Sequence, residues 1–164
     1  EIACNAVHFI DLISFLIKSD VKQIITKNLN KKWVKSQRKG FIDVFGKLII
    51  VYKNDVIFTL NTFEKKKMNL EKSYLLKIIT KKNEIYEINE TKNLVLKNNR
   101  IKRTKILKYQ SEITKKFVSD LFKYNECELP RLDKVICNHE ILLSSLINHY
   151  NFCYKKKINL IPIS

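Results

Sequence analysis

Between Phe41 and Asn89 the chain passes from one β-branched or aromatic run to the next through polar connections as short as three residues, "KND" (Lys53–Asp55) and "KKN" (Lys81–Asn83). So short a connection folds a strand back beside its predecessor, whereas a parallel crossover needs a dozen residues or more. The β-rich part is therefore expected to be antiparallel. The runs that carry the pattern are Trp33–Lys35, Phe41–Tyr52, Val56–Asn61, Tyr74–Thr80, Glu84–Asn89, Asn93–Lys97 and Thr104–Tyr109. The stretch Thr62–Ser73 ("TFEKKKMNLEKS") reads as a longer basic loop.

Glycine is the second constraint, because the chain has only two, Gly40 and Gly46. Phosphate-cradling loops place glycines where a strand enters a helix. Here β-type residues continue on both sides of Gly46. From Ile42, alternate positions give Ile42, Val44, Gly46, Leu48, Ile50 and Tyr52, one almost wholly apolar face. Gly40 is expected to supply a positive φ at the end of a polar turn. Gly46 is expected to mark a bulge or a close backbone approach in a bent strand. Both shape the sheet; neither is expected to hold a ligand.

Helical patterns flank the strands. Asn5 is placed to cap a helix over roughly 6–18, with a broad apolar stripe through Val7, Phe9, Ile10, Ile13, Leu16 and Ile17. Asp20, with Gln23 three residues on, has the form of a capping box opening a short second helix. Ser111 is placed to cap a helix to about Tyr124, and Asn138 one over about 139–152. Lys155–Ile163 is expected to return as an edge strand. The expectation is a single α+β domain over 1–164, with a helical segment 1–30, a β-rich core 33–109 and a helical segment 111–164. The core would be a six- or seven-strand antiparallel meander, a sandwich or partly open barrel. About seven short strands followed by an amphipathic helix resembles the pleckstrin-homology pattern, in element order alone.

Charge sets the class of partner. The 164 residues hold 32 Lys and Arg against 16 Asp and Glu, a net charge of +16. An excess of this size favours polyanionic partners, nucleic acid first and an anionic membrane surface second. Part of the lysine content has a bland origin: 28 Lys, 23 Ile and 16 Asn are the mark of an A/T-rich genome. No run of about 20 apolar residues exists, so no transmembrane segment is expected. The first residue is Glu, as in a processed or partial chain.

The most cationic stretch is "KNLVLKNNRIKRTKILK" (Lys92–Lys108), which carries Lys92, Lys97, Arg100, Lys102, Arg103, Lys105 and Lys108 and no acid. Its cations fall on both faces of an extended strand, which suits an edge or arm whose counter-charges are phosphates. The plain alternative is a lysine-protected sheet edge. Lys35, Arg38 and Lys39 form a second cluster around Trp33. As the only tryptophan, Trp33 is expected to pack in the core.

Catalytic signals are weak. Asp55 followed by Glu64 and Lys66, or by Glu90 and Lys92, has the order of a metal-dependent nuclease. Two Glu-x-Lys matches are roughly what this composition gives by chance. Cys127, Cys137, His149 and Cys153 are the one set of zinc-type ligands, without the tight spacing of a zinc ribbon. No metal or other cofactor is expected, nor a catalytic role for His8, His139 or His149. The functional expectation is a non-enzymatic RNA-binding component of a large ribonucleoprotein, such as an organellar or diverged ribosome. RNA (rRNA foremost) and neighbouring proteins would be its partners, in a mitochondrion or plastid ahead of the cytoplasm. The alternatives are a pleckstrin-homology-like module for anionic lipid or protein, and a nuclease or ribotoxin.

Overall fold

The computed structural model describes residues 2–36, 38–62, 75–89, 94–103 and 110–163. In chain order the elements are α1 (Ile2–Ile17), β1 (Val21–Leu29), β2 (Val34–Lys35), β3 (Ile42–Asp43), β4 (Gly46–Tyr52), β5 (Ile57–Thr62), β6 (Leu75–Ile79), β7 (Ile85–Asn89), β8 (Leu94–Lys97), β9 (Arg100–Arg103), α2 (Gln110–Tyr124) and α3 (Leu132–Tyr154). The fold is mixed α+β, with antiparallel strands between N- and C-terminal helices and no closed barrel among the described residues. The strands fall into three sheets, and Phe41–Tyr52 breaks at Val44–Phe45 into β3, which pairs with β2, and β4, which lies in another sheet. The chain forms two compact units: Glu1–Glu64 with Pro130–Ser164, and Lys65–Leu129.

In the first unit, β4 lies between β1 and β5, antiparallel to both. Its alternation is strict: Leu48, Ile50 and Tyr52 are fully buried. Helix α1 buries Ile2, Ala3, Ala6, Val7, Ile10 and Ile13, the spacing of one helical face. Helix α3 packs on β1 and α1, contributing Leu142 and Leu146 to the core. The Tyr52 hydroxyl reaches across this core and donates to the Ile10 carbonyl at 3.2 Å.

Four local expectations are corrected. The second helix after Asp20 is instead strand β1, whose β-branched Val21, Ile24, Ile25 and Thr26 sit in a ladder with β4. Asn5 does not cap α1, which begins at Ile2; Asp43 closes that end from a distance, its Oδ1 accepting the Ala3 N–H at 2.9 Å. Asn138 lies inside α3, where its amide donates to Asp11 Oδ1 at 2.9 Å and Ser14 Oγ at 3.3 Å. The return of 155–163 forms no strand. One bond joins it to β3, from the Ile42 N–H to the Pro162 carbonyl at 2.7 Å, and Pro162 has no N–H with which to extend a ladder.

The two glycines behave as the sequence predicts. Gly40 has φ +88° in an open turn. Gly46 has φ +128°, and a Cβ there would lie 2.8 Å from the Asn28 carbonyl oxygen and 2.9 Å from Leu29 Cα. Elsewhere other residues enter the left-handed region. Asp55 and Asn83 do so in the β4–β5 and β6–β7 turns, and Asn98 and Asn99 in the two-residue β8–β9 hairpin.

The second unit holds the four-stranded meander β6-β7-β8-β9, with β9 at one edge, and helix α2. Cross-strand rows run Ile78, Tyr86, Lys97, Arg100 and Leu76, Ile88, Val95, Lys102. Among the described residues, all the fully buried side chains belong to the first unit.

Candidate nucleic-acid interface

The β2–β3 hairpin of the first unit carries the better-defined cationic surface. Its strands pair through Val34–Asp43 and Lys35–Ile42, and the tip closes with the Ser36 N–H donating to the Phe41 carbonyl at 2.9 Å. Lys31, Lys32, Lys35, Arg38 and Lys39 are all exposed, and none has an acidic partner among the described residues. Five exposed cations thus lie within nine residues, Lys31 and Lys32 on the approach to the hairpin and Lys35, Arg38 and Lys39 on the hairpin itself.

The entry to the hairpin is fixed by Trp33. Its backbone N–H donates to the Tyr154 hydroxyl at 3.0 Å, and its indole N–H to His149 Nδ1 at 3.3 Å. The Trp33 ring meets Tyr150 edge-on, with centroids 5.4 Å apart, and Tyr150 in turn lies against Tyr154 at 4.6 Å. Trp33 is buried, as expected from the sequence, and is a root for the hairpin, not a platform for a base. An indole N–H only donates, so neutral His149 accepts through Nδ1 and carries its proton on Nε2, 3.5 Å from Cys153 Sγ. Burial holds the His149 pKa below the ordinary histidine value. From the other side, Asp43 ties β3 to the first turn of α1 through Ala3.

Beside the hairpin, a groove of about 390 Å³ opens between α1 and α3. Buried Ala3, Val7 and Leu142 line its apolar part. Exposed Arg38 and His8, with half-exposed His139, supply its polar groups. His139 Nε2 lies 3.7 Å from Asp11 Oδ2. Nothing in the sequence brought Arg38 and the two histidines together, since they meet only when α1 and α3 pack.

The second cationic group is on the β8–β9 hairpin of the other unit. Lys97 is not a free charge: its Nζ lies 2.7 Å from Glu84 Oε1 and 5.3 Å from the Tyr86 ring centroid. The hydrogen bond to Glu84 pushes its pKa up to about 12 and holds that of Glu84 below the usual carboxylate range. Arg100, opposite Lys97 in register, is exposed with no acidic partner among the described residues. Lys102 and Arg103 follow on edge strand β9. Lys92, Lys105 and Lys108 lie outside the described residues, as do Glu64, Lys66 and Glu90 of the nuclease-like patterns. Asp55 is exposed, 3.9 Å from Lys22.

The four cysteines are free thiols, and among the described residues no three His, Cys, Asp or Glu side chains come together as a metal-binding set. No described helix is long and apolar enough to cross a membrane. Set against protein families, curated proteins and solved structures, the chain matches none.

Proposed function

We propose that this chain is a non-enzymatic RNA-binding component of a large ribonucleoprotein, an organellar or diverged ribosome being the leading candidate. The observation that carries the reading is the segment of the β2–β3 hairpin and its approach, where Lys31, Lys32, Lys35, Arg38 and Lys39 are exposed without acidic partners among the described residues, beside the rooted Trp33. Each such cation brought to a phosphate releases condensed counterions, and the hairpin's fixed base keeps the group together while it binds. Arg100, exposed on the edge hairpin of the second unit, supplies a further phosphate contact under the same reading. The net charge of +16 draws the chain to the polyanion, and the hairpins make the contacts.

Sedimentation of the endogenous protein tests the particle. Migration with a heavy, RNase-sensitive species is expected, and migration as a free monomer overturns the reading. Titration of purified protein with single-stranded RNA over a salt series tests the hairpin. Changing Lys35, Arg38 and Lys39 together to Gln should lower the log–log salt slope by about two, at roughly 0.7 per phosphate contact. An unchanged slope removes the hairpin from the interface.

A further inference from the structure

We infer that the groove between α1 and α3 receives one unstacked nucleobase of a single-stranded RNA segment whose phosphates run along the β2–β3 hairpin. The inference rests on the RNA-binding reading above and narrows it to single strands. At about 390 Å³ the groove falls within the range, roughly 300–1,000 Å³, of pockets that hold small ligands. A base has two apolar faces and a polar edge. The lining offers both counterparts: accessible aliphatic surface from Leu143 and Ile163 above buried Ala3, Val7 and Leu142, and the exposed imidazole of His8, with His139 held beside Asp11. Imidazoles also stack on unpaired bases in single-stranded recognition.

The third component is Arg38. It belongs at once to the groove lining and to the cationic hairpin, so a strand tracking the hairpin lysines meets its counter-charge at the groove's mouth. A phosphate there is one ribose away from its base. In a duplex the bases are stacked and paired and none is available to enter, so the groove discriminates by strandedness without reading sequence strongly.

The test is a double-mutant cycle on the full chain. Affinity is measured for hexauridylate and for a fully abasic ribose-phosphate hexamer of equal charge, with wild-type protein and His8→Ala. His8 is exposed, so its truncation leaves the core intact. The wild type should bind the abasic hexamer roughly tenfold more weakly, the scale of one base contact. In His8→Ala that ratio should shrink severalfold. Equal wild-type affinity for both hexamers overturns the groove and leaves RNA binding standing. So does an abasic penalty that persists in full in His8→Ala. Binding of neither hexamer overturns the groove and the RNA reading together.

Discussion

At the scale of single residues, the chain makes its turns largely without glycine. Asp55, Asn83, Asn98 and Asn99 take positive φ in hairpins, and Lys18, Asn125 and Lys155 do so just beyond the ends of the three helices. Asn and Asp tolerate this region through local hydrogen bonding, whereas Lys has no such compensation. Lys155→Gly should therefore stabilise the protein by roughly 0.5–1 kcal/mol, read as a rise in denaturant midpoint. The two glycines that remain should respond unequally. Gly40→Ala meets open space and should cost about 1 kcal/mol, from φ alone. Gly46→Ala drives a Cβ into the backbone of Asn28 and Leu29 and should cost about 3 kcal/mol or more. Equal costs would show that the β1–β4 approach is looser than described. Both positions were legible in the sequence, because rarity marked them and the alternation around Gly46 showed what it interrupts. Asp43 was not legible as a cap, since its partner Ala3 lies 40 residues away.

Among the elements, legibility in the sequence follows from where each element's partners lie. The apolar face of β4 is written in its own residues, and Leu48, Ile50 and Tyr52 are buried as their spacing requires. Strand β1 was hidden by Asp20 and Gln23, which mimic a helix start. Its buried Val21, Ile24 and Leu29 do not alternate, because register shifts interrupt its pairing with β4. For the candidate site, the cationic hairpin was legible as a charge cluster and the neutralising Glu84–Lys97 pair was not, for it depends on how β7 and β8 align. The hairpin's root makes its own prediction. Folding lowers the His149 pKa, so below the ordinary value of 6.5 the unfolded chain binds more protons than the folded one. The stability from this residue is complete above that value and declines as pH falls through it, when protonation of Nδ1 also breaks the bond from Trp33. Melting followed by the single tryptophan should show a loss of Tm on mild acidification. His149→Gln, whose amide oxygen still accepts from the indole, should flatten that dependence; an unaltered slope would assign it to other groups.

Across the whole molecule, core and charge are distributed differently. All the fully buried side chains described belong to the first unit, while unpartnered cations occur in both, as at Arg38 and Arg100. Native-state hydrogen exchange should therefore separate the units: amides of β4 should open only with global unfolding, and those of β7 and β8 at a lower free energy. Equal protection would overturn this difference in stability between the units. The first unit is also discontinuous, since α3 reaches β1 and α1 only after the chain has passed through Lys65–Leu129. During synthesis at roughly 5–20 residues per second, the N-terminal half emerges several seconds before the helix that completes it. For that interval Trp33 has neither His149 nor Tyr154 to bond, and the apolar faces of α1 and β1 have no lid. Until α3 arrives, a nascent chain of this protein carries exposed apolar faces of the kind that favour aggregation.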